Sequence, residues 1–246
     1  MNKRHLQILT LISQYKKIEV KNLSELCNVS QVTIRKDLDE LERKGLLKRE
    51  HGFAMVNNED DLNYRLTFNY EEKYLAAKKA LAIINDHETI MIESGSSCAI
   101  LALEIAKAHR DITIITNSCF IPRYLKDYKD TKVIVLGGEY QTKSEVNVGP
   151  LIKHNLKEFF VDKLFIGTDG IDEDIGLTGN DYERCEVVRM MKERAKHLYV
   201  LTDLSKYNKR SNFKQFELDD IDYLICEDNV PSSLQELAVK YNFKIL

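Results

Sequence analysis

Five clusters of small and charged residues follow apolar runs in the larger part of the chain, and together they have the chemistry of an anion site. They are Glu93-Ser94-Gly95-Ser96-Ser97, Asn117-Ser118, Gly137-Gly138, Gly167-Thr168-Asp169-Gly170 and Asp203-Leu204-Ser205-Lys206. Small residues let the backbone approach a ligand, hydroxyls donate hydrogen bonds, and a helix opening at Ser97 adds its free amides to the same spot. Lys206 is the countercharge. A lone Ser-Gly-Ser-Ser says little, because Gly and Ser are what any turn uses. Five such turns at one edge of one sheet specify a ligand rim, and the ligand that suits them is a small phosphorylated polyol.

A second constellation lies near the amino terminus. Asn22 to Leu38 reads as two short helices joined by a tight turn at Asn28, a residue type that tolerates the left-handed conformation. Leu23, Leu26, Val29, Ile34, Leu38 and Leu41 fall at intervals of three and four, so they face one small core. Ser30 can cap the second helix. With Ile34 inward, Val32, Thr33, Arg35 and Lys36 fan across the flanks and the opposite side. The amides at Ser30 and Gln31 favour a phosphate, Arg35 and Lys36 reach phosphates or guanine edges, and Val32 or Thr33 can touch a thymine methyl. A protein-contact module with a solvated basic face is the bland alternative. Beyond Gly45, 46–50 and 53–56 form a two-stranded ribbon turning at His51-Gly52, with Lys48, Arg49 and His51 at its tip for a phosphate backbone or a minor groove.

Charge follows the same division. Residues 1–56 carry 11 Lys+Arg against 7 Asp+Glu, and the remaining 190 carry 25 against 32. A net charge of −3 hides this asymmetry, which confines positive potential to the front end. With 246 residues and 43% hydrophobic content, the chain has room for a small domain and one sizeable core. The amino terminus has no apolar signal region and no run of about 18 apolar residues occurs, so a soluble, cytoplasmic protein without membrane contact is expected. Five cysteines without a C-x-x-C pair make disulfides and structural zinc unexpected, and suggest small buried hydrophobes. His5, His87, His109, His154 and His197 lack metal-ligand spacing, so no metal and no cofactor are expected.

These groups require an α/β scaffold to position them. Strands are predicted at 89–92, 112–116, 133–136, 164–166, 198–201 and 223–226, and helices at 70–85, 97–107, 118–127, 151–160, 182–196 and 233–241. The alternation implies a mostly parallel sheet with helices on both faces, which binds ligands beyond its carboxyl ends. The acidic run Asn57-Asn58-Glu59-Asp60-Asp61 interrupts both periodicities. The expected division is therefore a winged helix-turn-helix at 1–57, a linker at 58–72 and the α/β domain at 73–246.

The whole chain resembles the DeoR family of transcriptional regulators. The carriers are Val29-Ser30-x-x-Thr33-Ile34-Arg35-Lys36-Asp37-Leu38, His51-Gly52, Ser94-Gly95-Ser96-Ser97, Thr116-Asn117-Ser118, Leu136-Gly137-Gly138, Val161-Asp162-Lys163-x-Phe165-Ile166-Gly167, Gly176-Leu177-Thr178 and Ser205-Lys206. The resemblance implies a winged helix-turn-helix and a phosphosugar sensor domain related to phosphosugar isomerases. It further implies repression of a sugar-utilisation operon, relief when a phosphosugar binds, and an oligomer on double-stranded operator DNA. Effector contacts then fall to Ser94, Gly95, Ser96, Ser97, Asn117, Ser118, Gly137, Gly138, Thr168, Asp169, Gly170, Glu183 and Lys206. Phe53 stands where the wing usually has a second glycine, Lys36 where a second arginine is common, and Cys98 where a threonine is usual. The competing reading is an enzyme. Asp169-Gly170-Ile171-Asp172-Glu173 with Glu183 is similar to the acidic motif and base of ribose-phosphate isomerases, but the lysine-glycine-rich stretch that accompanies it there is absent.

Overall fold

The computed structural model describes residues 3–43, 46–55, 62–108 and 111–246, and the chain divides into two compact units, Met1–Tyr70 and Glu71–Leu246. The acidic run 57–61 lies outside the described residues, as do Gly45, Val56 and His109. Five free cysteines are present, with Cys98, Cys185 and Cys226 buried and Cys27 and Cys119 half-buried. Among the described residues no helix is long and apolar enough to cross a membrane.

The first unit runs α1 (Lys3–Tyr15), β1 (Lys17–Glu19), α2 (Val20–Leu26), α3 (Gln31–Arg43), β2 (Lys48–Glu50), β3 (Phe53–Met55) and α4 (Leu62–Thr67). Its core joins Ile8, Leu9 and Ile12 of α1 to Leu23 of α2 and to Ile34, Leu38 and Leu41 of α3. Leu26, predicted to face that core, is 47% exposed. The buried stripe of α2 is Val20 and Leu23, continued by half-buried Cys27, and Leu26 projects about 90° away from it. Asn28 takes a φ of 52° at the turn between α2 and α3, as expected. The ribbon is a three-stranded sheet, because β1 pairs with β3 on the side opposite β2. His51 and Gly52 have φ of 46° and 85°, so both central residues of the two-residue turn are left-handed and its twist matches the strands.

The second unit runs α5 (Tyr70–Ala82), β4 (Thr89–Ile92), α6 (Ser96–Lys107), β5 (Thr113–Thr116), α7 (Phe120–Tyr124), β6 (Lys132–Val135), β7 (Glu139–Gln141), β8 (Val146–Val148), α8 (Pro150–Leu156), β9 (Val161–Ile166), β10 (Gly170–Asp172), β11 (Gly176–Gly179), α9 (Tyr182–Lys192), β12 (Ala195–Leu201), β13 (Phe213–Phe216), β14 (Tyr223–Ile225), α10 (Ser232–Tyr241) and β15 (Lys244–Ile245). Seven strands make a wholly parallel sheet in the order β15-β14-β12-β9-β4-β5-β6. Met91, Ile115, Leu164, Leu198 and Leu224 pack one face against Ile152 and Leu156 of α8, Val187 and Met191 of α9, and Leu234 of α10. Their neighbours Ile90, Ile114, Phe165, Tyr199 and Ile225 are buried too, so both faces are covered.

Four predicted helices are shorter than expected, and those predicted at 70–85 and 151–160 end at Ala82 and Leu156. The helix predicted at 182–196 ends at Lys192, and Ala195 and Lys196 open β12. The pairing of Ala195 with Val161 of β9 outweighs the local helical pattern. The helix predicted at 118–127 is α7, Phe120–Tyr124. The β7-β8 hairpin and the antiparallel β10-β11-β13 sheet lie outside every predicted element.

Candidate functional site

The first unit exposes Arg35 and Lys36 on the amino-terminal half of α3. Ser30 Oγ accepts from the Thr33 amide at 3.2 Å and caps it. Ile34, Leu38 and Leu41 are fully buried, which turns Gln31, Val32, Arg35 and Lys36 outward, with Thr33 half-buried. Val32 is 63% exposed, an apolar contact left to solvent beside two cations. Asp37, unlike its charged neighbours, faces inward and is 7% exposed. It accepts from Arg4 Nε at 2.5 Å and Nη2 at 3.0 Å, and its Oδ1 lies 3.2 Å from His5 Nε2. The hydrogen bond from Arg4 foremost holds the Asp37 carboxyl below the usual carboxylate range, against the opposing effect of burial. This pair pins α1 to α3. An acidic residue on the inward stripe of an amphipathic helix was its only trace in the sequence.

At the wing, His51 is exposed at the turn, and the Gly52 carbonyl accepts from the Val20 amide at 3.0 Å, anchoring the tip to α2. Phe53 lies under the Lys17 ammonium, 4.6 Å from ring centre to Nζ. Lys48 pairs with Glu50 at 2.6 Å. Arg49 pairs with Asp39 of α3, and its amide donates to Glu42 Oε1 at 2.8 Å. Lys48 and Arg49 therefore already have carboxylate partners, and Arg49 ties the wing to α3.

All seven strands of the main sheet in the second unit are parallel, so the loops after β4, β5, β6, β9 and β12 leave the same edge of it. Strand order reverses between β4 and β9, and such a switch point opens a crevice beyond the carboxyl ends. Glu93 sits there. Its Oε2 accepts from the Gly95 amide at 3.0 Å and the Gly167 amide at 3.1 Å, and Ser94 Oγ donates to its Oε1 at 3.1 Å. One carboxylate thus joins the β4 and β9 loops across the switch point. Gly95 is tight here, since a Cβ would stand 2.9 Å from Glu93 Oε2. Ser96 and Ser97 open α6, buried to 5% and 6% exposure. Lys206 ends the short turn of 3-10 helix Leu204–Lys206 after β12, and its ammonium has no ion-pair partner among the described residues. Tyr207, beside it, bridges to Ile171 of β10.

Several of the other predicted rim groups are engaged within the fold. The Thr168 hydroxyl donates to the Gly170 carbonyl at 2.9 Å, and lies 3.1 Å from the Thr178 carbonyl. Asp169 accepts from the Asn180 amide at 3.0 Å. Ser118 Oγ accepts from the Ile121 amide at 3.1 Å, capping α7. The Gly137 amide donates to Asn155 Oδ1 at 3.0 Å. A Cβ on Gly138 would meet the Val148 carbonyl oxygen at 2.5 Å, and one on Gly170 the Lys209 carbonyl oxygen at 2.4 Å. Asn117 is 1% exposed and donates from Nδ2 to the Asn147 carbonyl at 3.3 Å, while its Oδ1 is buried without a hydrogen bond.

The acidic groups that resemble an isomerase motif are also structural. Asp172 accepts from the Asp174 and Ile175 amides at 3.1 and 3.0 Å and from Arg210 at 3.0 and 3.1 Å, so it closes the β10-β11 turn. Burial would raise its carboxyl, but Arg210 and the two amides outweigh that and hold it low. Glu183 is exposed on the first turn of α9 and accepts from Gln141 Nε2 at 3.0 Å. The residue that turns inward is Arg184, whose Nε is buried without a hydrogen bond, 3.7 Å from Asp181 Oδ1. Burial foremost pushes the neighbouring Cys185 thiol up to about 11, and Asp169, Glu93 and Arg184 are among the charges acting on it. The sequence reading passed over Glu93 as a bridge, Arg184 and the β13 residues. A carboxylate directly after the central strand was the only available signal.

Comparison with known proteins agrees with both halves. Residues 4–60 match the DeoR-like helix-turn-helix domain family, and residues 68–228 match the DeoR C terminal sensor domain family. The chain is 31% identical to the HTH-type transcriptional regulator GolR of Listeria innocua, covering 94% of this chain and 92% of that protein. It is 30% identical to the L-fucose operon activator of Haemophilus influenzae, covering 98% of each, and 25% identical to the glycerol-3-phosphate regulon repressor of Escherichia coli, covering 98% and 97%. A ribose 5-phosphate isomerase A from Methanocaldococcus jannaschii superposes with a TM-score of 0.42 at 21% identity, over 56% of this chain and 55% of that one, a likeness too distant to bear on function.

Proposed function

The chain belongs to the DeoR family of transcriptional regulators, and from that premise we propose that it represses a sugar-utilisation operon until a phosphorylated sugar binds its sensor domain. What supports the proposal is that Ser94, Gly95, Ser96, Ser97, Asn117 and Lys206 all follow carboxyl ends of parallel strands at or near the β4-β9 switch point. The amides opening α6 and the Lys206 ammonium suit a phosphate, and the buried hydroxyls and amides suit a polyol. Asp169 and Glu183, bonded within the fold to Asn180 and Gln141, are proposed as further polar groups for the sugar.

On the DNA side, Ser30, Gln31, Val32, Thr33, Arg35 and Lys36 form the major-groove face, and Lys48, Arg49 and His51 the wing. A homo-oligomer built through the second unit presents two such faces to a symmetric operator. The effector acts by linkage, binding one arrangement of the oligomer better than the other. A coupling of ~1–3 kcal/mol makes a saturating effector change operator affinity about 5–150-fold.

The test is a thermal-shift screen of the full chain against pentose, hexose and triose phosphates, followed by operator titration with any ligand that raises the melting temperature. Lys206→Ala is expected to lose the shift and the operator release together. A variant that keeps both overturns the anion-site assignment.

A further inference from the structure

Gln215 lies on β13, in the small antiparallel sheet β10-β11-β13, and is 8% exposed. Its Nε2 donates to the Gly167 carbonyl at 3.3 Å, and Gly167 is the residue whose amide is held by Glu93. That bond fixes the orientation of the amide, since the reversed one would set two oxygens against each other. Gly179 of β11 packs against the same side chain. A Cβ there would stand 2.8 Å from Cys185 Sγ and 3.6 Å from Gln215 Cδ. Glu93, Gly167, Gly179, Cys185 and Gln215 thus form one continuous cluster at the switch point.

Within that cluster Gln215 Oε1 is buried and accepts no hydrogen bond. Asn117 Oδ1, at the end of β5, is in the same condition. Nearly all buried polar groups in folded proteins are satisfied, so two unsatisfied amide oxygens at one edge of one sheet call for a donor. Neither the doubly ionised phosphate of a sugar phosphate, which offers only acceptors, nor an apolar group supplies one.

We infer that Gln215 is a specificity-determining residue of the effector crevice, its Oε1 accepting from a hydroxyl of the bound sugar, with Asn117 Oδ1 taking a second. The effector class is thereby narrowed to phosphates that carry at least two free hydroxyls near the switch point, and simple anions are excluded as full effectors. This assignment rests on the crevice being the effector site. Discrimination follows from the cost of a buried acceptor left unpaired, because a ligand lacking the hydroxyl strands it.

The experiment measures affinities of the full chain by calorimetry for ribose 5-phosphate, 2-deoxyribose 5-phosphate, fructose 6-phosphate, glycerol 3-phosphate and inorganic phosphate. The variants are Gln215→Met, which keeps length and loses the acceptor, and Gln215→Ala as a second probe. The expected result is a loss of roughly tenfold for the best sugar phosphate in either variant, with inorganic phosphate unchanged. A packing defect alone would weaken both alike, and that outcome overturns the assignment. Equal sugar affinity in wild type and variants overturns it as well, leaving the crevice intact as the effector site. A wild-type chain that binds none of the panel removes the crevice reading and this inference together.

Discussion

Gly170 opens β10 and Gly137 follows β6, yet the structure gives them different work, and alanine substitutions separate the two cases. A Cβ on Gly170 would lie 2.4 Å from the Lys209 carbonyl oxygen and 2.7 Å from Thr178 Oγ1. Ordinary contact needs a further ångström or so, and the obstacle is backbone that β10 and the loop before β13 hold in place. Overpacking of this kind costs about 1–3 kcal/mol. For a unit the size of Glu71–Leu246 each kcal/mol shifts the melting temperature by about 2–4 °C, so Gly170→Ala should lower it by about 2–12 °C. The Cβ of Gly137 would meet only Asn155 Oδ1 at 3.6 Å, and Gly137→Ala should stay within about 0.5 kcal/mol of wild type. Differential scanning calorimetry of the full chain, following the transition of the larger unit, reads both. If Gly170→Ala melts with wild type while effector affinity falls, Gly170 is a ligand contact and the packing argument fails.

Three further outcomes follow from the first unit. Because Arg4 holds the Asp37 carboxyl low, the folded chain takes up this proton less readily than the unfolded one. The stabilisation is therefore complete above the unfolded pKa of about 4 and drains away as pH falls through the lower folded value. Asp37→Asn should flatten that acid limb in a pH series of melting curves, and an unchanged limb would assign it to other carboxylates. Arg35→Ala should weaken operator binding and reduce its salt slope by about one, while sugar phosphates still raise the melting temperature of the sensor. Asp39→Asn releases Arg49 from its carboxylate partner. Fluorescence anisotropy across a salt series should then show tighter, steeper salt-dependent binding to DNA of any sequence, and a slope equal to wild type would mean that Arg49 stays docked on α3.

Much of this protein is legible in one dimension because local periodicity and residue chemistry suffice for it. The spacing of Leu23, Ile34, Leu38 and Leu41 defines an amphipathic pair, and Ser30, Asn28 and His51-Gly52 mark a cap and two turns through their own conformational preferences. Most of the predicted strands are readable because a strand buried on both faces is a continuous apolar run, and the half-exposed edge strand β6 is readable from its β-branched residues. Other features are invisible at that range. Ala195 belongs to a strand because β9 is there to pair with it, although the residues before it are helical in pattern. β13, with Gln215, has no periodic signature, since its pairing with β11 depends on a chain segment more than thirty residues away. The bridging role of Glu93 likewise required β4 and β9, seventy residues apart, to become neighbours.

Sequence alone determined which residues are apolar, which can cap, turn or carry charge, and hence the elements and the two-part plan of the chain. Only the tertiary structure decided which of the polar groups remain available. Thr168, Ser118 and the Gly137 amide have partners within the fold, while Lys206, Asn117 Oδ1 and Gln215 Oε1 keep unused capacity among the described residues. The reason is physical: hydrogen-bonding capacity is a property of a side chain, but whether it is spent depends on what the rest of the chain brings within 3 Å of it.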